Sequence, residues 1–144
     1  MPAPARLASV RALAGAALLL GLVGTVLELL LLAHWEEWTQ WLPLLLLGAS
    51  LGVLGWFRAR PGPAPLRAHR ALMTALAVAG VVGIGLHVRG NVLTQREVDP
   101  TLAGRALARE VLTRGAPVLA PGALLQLALI GLAWAYRHPA DPAA

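Results

Sequence analysis

The chain has no cysteine among its 144 residues, and it has no lysine, because all twelve of its basic residues are arginine. The absence of cysteine excludes disulfides, thiol catalysis, cysteine-ligated zinc and iron–sulfur clusters. Charged residues make up only 13% of the chain, whereas a globular domain carries about 25%. A water-soluble fold of this length needs charged residues at regular intervals over its surface, so the composition argues against one.

What the chain has in place of charge is long apolar stretches. Hydrophobic residues account for 58% of it, against roughly 45 to 50% in globular proteins. Crossing ~30 Å of hydrocarbon as a helix takes ~20 mostly apolar residues, and four stretches are about that long: residues 12–33, 41–57, 71–88 and 118–136. The sequence therefore predicts an all-α fold, an integral membrane four-helix bundle that forms a single transmembrane domain over residues 1–144.

The positions of the arginines predict the orientation of the bundle. Seven lie before the first span, between the second and third, or after the fourth: Arg6, Arg11, Arg58, Arg60, Arg67, Arg70 and Arg137. The loop after the third span holds the other five. By the positive-inside rule both termini face the cytoplasm. Because the arginines flank spans and do not line one face, the expected partner is the lipid bilayer and not nucleic acid.

Aromatic residues mark the expected membrane boundaries. Trp35, Trp38 and Trp41 cluster near one interface, and Trp56, Phe57, Trp134 and Tyr136 cluster near the other. Such clusters are typical of interfacial anchoring belts.

A short amphipathic helix is predicted in the third loop, over residues 100–114. Asp99 is suited to the N-cap, Pro100 to the first helical position and Gly115 to the C-terminal cap. Leucine, valine and alanine share one arc of this helix and arginines share the other, so we expect it to lie on the membrane surface. The alternatives are a helix that only caps the bundle, or a lid or docking surface for a partner.

Small residues at helical spacing predict where the spans contact each other, since membrane helices pack closely where side chains are small. All four spans have such seams. They are Ala14, Ala17, Gly21, Gly24 and Glu28 in the first; Gly48, Gly52 and Gly55 in the second; Ala77, Gly80, Gly83 and His87 in the third; and Ala128, Gly131 and Ala135 in the fourth. For the glycines of the second span, a homodimer contact is the alternative.

Glu28 is the only ionised side chain within a span, and intramembrane acids are functional candidates by default. It continues the first seam, so we expect it to point into the bundle. With other polar groups near the same level it defines a candidate polar site: Glu28, His34, Glu36, Glu37, His87, Asn91 and Gln126. Such a pocket suits a proton, a metal ion or a quinone-like headgroup. The alternative is structural, with the acid reaching water or a basic neighbour and the histidines bonded to backbone.

No cofactor can be assigned from this set. The spacing matches no compact metal motif such as HExxH, so no metal site is predicted. Two haems with paired histidine ligands are disfavoured, because His69 and His138 are expected to lie outside the hydrocarbon.

Four segments, residues 34–43, 86–91, 115–122 and 134–139, give the chain a likeness that covers most of its length. It resembles a group of small four-span bacterial membrane proteins to which no activity is assigned. The resemblance implies a bacterial inner-membrane location and supplies no catalytic residue or cofactor.

Three hypotheses about function follow. The leading one is a non-enzymatic subunit or accessory component of a membrane assembly, with a protein partner or a second copy docked on its seams. The second is a small proton-coupled transporter that uses Glu28. The third is a membrane redox or metal protein that uses His34 and His87.

Overall fold

The computed structural model describes residues 3–141, which are helical and contain no strand. The helices are α1 (Ala3–Leu31), α2 (Trp41–Ala59), α3 (Pro63–Val98), α4 (Gly104–Thr113) and α5 (Gly122–Ala135), and a short 3₁₀ helix (Trp38–Gln40) precedes α2. The all-α prediction is confirmed for this range. Residues 1–2 and 142–144 of the predicted domain lie outside the described residues.

Among residues 3–141, three helices are long and apolar enough to cross a membrane: α1, α2 together with its preceding 3₁₀ helix, and α3. The 36 residues of α3 extend ~54 Å at 1.5 Å per residue, well beyond ~30 Å of hydrocarbon. Its apolar part lies between Arg70 and Arg89. The two ends of α3 therefore extend past the apolar layer that its middle matches.

The fourth predicted span is helical over a shorter range than expected. α5 has 14 residues, or ~21 Å, where the sequence predicted residues 118–136. Pro117 and Pro121 cause the difference, because proline lacks the N–H that an interior helical position must donate. Residues 118–121 form turns instead, with the Gly122 N–H donating to the Leu119 carbonyl at 2.8 Å.

The amphipathic helix α4 is present, but its predicted start at Pro100 is wrong. α3 continues to Val98, and Asp99 ends it. The Asp99 carboxylate then accepts hydrogen bonds from the Thr101 N–H at 2.9 Å and from its hydroxyl at 2.6 Å. The Asp99 carboxylate thus binds Thr101 in a local turn and does not cap a helix that starts at Pro100. α4 begins only at Gly104.

Helices α1, α2, α3 and α5 pack around a common core, and α4 packs against α3. α1 contacts α2 and α5, while α3 contacts α2, α5 and α4. The largest core cluster draws on all four long apolar segments, and its buried members are Leu18, Leu22, Leu47, Met73, Leu76, Leu124, Leu127 and Ala128.

Glycines make the contact between α3 and α5 a close one, as the third and fourth seams predicted. A Cβ built on Gly80 would lie 2.9 Å from the backbone N of Leu125 and 3.1 Å from the carbonyl O of Pro121. A Cβ on Gly131 would lie 2.7 Å from Met73 Cγ and 3.2 Å from His69 Nε2. Because Gly80 opposes backbone, no side-chain rearrangement can make room there.

The first two seams are used differently. In α1, Gly21 faces Leu127, whereas Ala17 and Gly24 are exposed. In α2, a Cβ built on Gly48, Gly52 or Gly55 would meet no atom of the described residues within 4 Å beyond the adjacent backbone of its own helix. The buried side chains of α2 are Leu47, Ser50 and Phe57. The prediction that the α2 glycines mark a contact inside the chain is therefore wrong.

We expect Gly80→Ala to destabilise the detergent-solubilised protein by about 1–3 kcal/mol, the usual range for overpacking. Gly85→Ala is the matched control in the same helix, since its Cβ would enter open space. Alanine there should leave the thermal unfolding midpoint unchanged or raise it. Equal midpoints for the two variants would contradict the close α3–α5 contact.

Candidate functional site

Glu28 lies on the exposed side of α1, so the prediction that it points into the bundle is wrong. The buried face of this helix is centred on Leu18 and Leu22, both fully buried. Glu28 follows Leu22 by six residues, which at 3.6 residues per turn places it ~120° away around the helix. Gly24, on the same predicted seam, is exposed as well.

The structure does not gather the predicted polar site into one pocket. His34 is half-buried in the loop after α1, while Glu36, Glu37 and Gln126 are exposed. The Glu37 N–H donates to the side chain of Gln40 at 3.2 Å, a bond local to the 3₁₀ helix. Within residues 3–141, no side-chain hydrogen bond or ion pair joins two members of the predicted set, and no cluster of three potential metal ligands occurs.

Two members, His87 and Asn91, do lie one turn apart on α3, and both hold the segment that follows α4. His87 Nδ1 donates to the carbonyl of Pro117 at 2.9 Å. The Asn91 amide donates to the carbonyls of Val111 (3.0 Å) and Ala116 (2.8 Å), and its oxygen accepts the Ala116 N–H at 3.0 Å. Asn91 is only 5% exposed. These bonds fix a loop and leave the asparagine amide no free donor.

Gly115 is required by the same arrangement. Its φ of +111° is a conformation that L side chains rarely adopt, and a Cβ there would lie 2.7 Å from Asn91 Oδ1. The sequence predicts Gly115 as the C-terminal cap of α4, and this residue also allows the backbone to lie close to the buried Asn91 side chain.

Four aromatic rings contact one another at the other end of α3 and α5 from His87 and Asn91. They belong to Phe57, His69, Trp134 and His138. The Trp134 ring centroid is 5.0 Å from that of His69, 4.9 Å from that of His138 and 5.2 Å from that of Phe57. Phe57 and His138 are 5.0 Å apart with perpendicular planes. We refer to these four residues as the ring cluster. Edge-to-face pairs of this kind stabilise a packed site beyond the area that they bury.

His69 is fully buried in the ring cluster and belongs to the first turns of α3, not to the loop that precedes the third predicted span. Its Nε2 donates to the Gly131 carbonyl at 3.1 Å. Its Nδ1 has no hydrogen-bond partner among the described residues. Sequence reasoning missed this position, although Leu66, His69 and Met73 extend the three-and-four spacing of the third seam toward the start of α3.

Two arginines close the C-terminal end of α5 beside the ring cluster. Arg70 donates to the Ala135 carbonyl at 2.8 Å and forms an ion pair with Asp141 at 2.7 Å. Arg11 donates to the carbonyls of Tyr136 (3.3 Å) and Arg137 (3.0 Å). The Ala135 and Tyr136 carbonyls are ones that the helix end leaves without intrahelical partners, and the Arg137 carbonyl lies just beyond the cap. A cation is also favoured there by the helix dipole.

The chain after α5 folds back over the cluster. Arg137 has a φ of +44°, which reverses the chain direction, and His138 Nδ1 accepts the Ala140 N–H at 3.1 Å. Burial, together with the nearby positive charges of Arg11 and Arg70, lowers the pKa of His138 below its usual value. The neutral form accepts the Ala140 bond, so a low pKa preserves the fold-back near neutral pH.

Six polar side chains described above bond to backbone carbonyls or amides: His69, His87, His138, Asn91, Arg11 and Arg70. No protein-family model, curated protein or solved structure matches the chain.

His138 should make stability depend on pH. Its folded-state pKa lies below the unfolded value of about 6.5, so the unfolded chain takes up the proton first as the pH falls. Stability from neutral His138 is present above about pH 6.5 and is lost below it.

His138→Asn keeps an acceptor near the Nδ1 position and does not titrate. We expect this variant to be less stable than the wild type at pH 7.5, because it lacks the ring that contacts Phe57 and Trp134. Between pH 7.5 and pH 5 it should lose less thermal stability than the wild type does. Parallel profiles for the two proteins across this range would contradict the role given to His138.

Proposed function

We propose that the chain is a non-enzymatic component of a membrane assembly, which associates with another transmembrane helix through the outer face of α2. One observation carries this proposal: Gly48, Gly52 and Gly55 form a stripe on α2 with open space in front of every member. In lipid, a GxxxG stripe allows two helix backbones to approach closely. We refer to these three residues as the glycine stripe.

The surroundings of the glycine stripe suit a helix partner. Trp41 lies two turns before Gly48 on the same side of α2 and is 49% exposed, and Leu45 is 64% exposed. A partner helix in the stripe would pack against both side chains and bury apolar surface that lipid otherwise covers. Close packing, and not the hydrophobic effect, drives such contacts within a bilayer.

Glu28 supports the same proposal. Its carboxylate lies on the exposed side of an otherwise apolar helix, with Gly24 open one turn earlier. An acid at that depth is costly unless it is neutralised, hydrated or paired. A donor from a partner subunit would satisfy it. A proton-coupled path through Glu28, the alternative function, would need a second copy to enclose it.

The proposal includes a topology in the membrane. We place α1, α2, α3 and the segment around α5 as four spans of a bundle in a bacterial inner membrane, with both termini in the cytoplasm. The arginine distribution supports this orientation, because Arg11 and Arg70 meet at the end of α5 that carries the predicted cytoplasmic charge.

The test places a photo-cross-linking side chain at Leu45, beside the glycine stripe, in the full-length protein in its native membrane. We expect a protein adduct, and we expect Gly52→Ile to abolish it by filling the stripe. Ala16→Ile is the matched control, because Ala16 is a small exposed residue on α1. The mass of the adduct distinguishes a second copy from a different subunit.

A cross-linker at Val23, which is exposed on α1, serves as the control for chance encounters. Lipid adducts alone at Leu45, with no change of complex size in Gly52→Ile, would overturn the proposal.

A further inference from the structure

An open groove of about 330 Å³ runs between α3 and α4. It is lined from α3 by Val88 and Val92, and mainly by Leu107, Ala108, Val111 and Leu112 from α4. All of these side chains are apolar, and Leu112 is 67% exposed. The volume is at the lower end of the range for pockets that bind small molecules.

The groove lies where the apolar part of α3 ends. Val88 is the last residue of the apolar stretch, Arg89 follows it, and Val92 is one turn further on. In a bilayer matched to residues 71–88, this level is the boundary between acyl chains and headgroups. An apolar groove at this depth is therefore accessible from the lipid phase.

Three arginines lie next to residues that line the groove, and no acid is among the lining residues. Arg89 precedes Val92 by three residues, Arg96 follows Val92 by four, and Arg105 precedes Ala108 by three, so helical spacing places each beside a lining residue. All three are exposed. Within residues 3–141 the ion pairs are Arg70 with Asp141 and Arg114 with Glu110, and neither includes a rim arginine.

We propose that this groove binds one acyl chain of an anionic phospholipid from the surrounding bilayer, with its phosphate on the rim arginines. Guanidinium groups match phosphate oxygens with paired hydrogen bonds. The apolar lining and the positive rim follow one another along the membrane normal in the order in which a lipid presents its tail and headgroup. A partner's transmembrane helix would instead bring uncharged side chains to the rim.

The experiment reconstitutes the full chain in vesicles of phosphatidylglycerol, of phosphatidylcholine, or of both, and counts the lipids that stay bound by native mass spectrometry after detergent exchange. We expect one phosphatidylglycerol to be retained in preference to phosphatidylcholine. Arg89→Gln and Arg105→Gln should each weaken retention by about fivefold, the size expected for one arginine near anionic headgroups. Arg58→Gln, exposed at the other end of the molecule, is the control.

A second pair of variants tests the groove itself. Ala108→Trp should fill it and abolish retention of either lipid, whereas Ala106→Trp lies on the other side of α4, in a depression lined also by Gln95 and Glu110, and should retain the lipid. Equal retention in these two tryptophan variants would overturn the proposal. So would equal retention of the two lipids by the wild type, or a protein adduct from a cross-linker at Ala108.

Discussion

The structure depends on the hydrogen bonds that the backbone groups at the two ends of α5 make. Fourteen helical residues reach ~21 Å, and peptide groups left over in a bilayer must find partners within the protein. At one end the Gly122 N–H donates to the Leu119 carbonyl within the turn, and His87 donates to the Pro117 carbonyl. At the other end, Arg70 and Arg11 bind the last carbonyls. α3 supplies a polar group at each end and the glycines between them.

This constraint explains why polar side chains such as His69 and Asn91 form hydrogen bonds to the backbone. His69 binds a carbonyl inside α5, and Asn91 holds the loop that delivers the chain into α5. The fold-back at Arg137 then returns Asp141 to Arg70, so the same guanidinium joins α3, α5 and the C-terminal segment. The α2 glycines, Glu28 and the groove between α3 and α4 lie instead on the outer faces of the helices.

The sequence predicted the helices better than the faces that they use. The α3–α5 contact could be foreseen because Gly80 and Gly131 lie in seams with helical spacing. The outward position of Glu28 could not be foreseen, because in lipid both the core and the outer surface are apolar. The pattern therefore does not distinguish the side of α1 that bears Leu22 from the side that bears Glu28. The burial of His69 depends on a distant glycine, and no local pattern encodes that pairing.

The most direct test asks whether the segment around α5 crosses the membrane with its ends at opposite faces. The chain has no cysteine, so Leu119→Cys and Tyr136→Cys each introduce the only thiol, at positions 74% and 66% exposed. With a membrane-impermeant maleimide, the account predicts labelling of Leu119→Cys in intact cells and of Tyr136→Cys only in inverted vesicles. Labelling of both from the same side would contradict it.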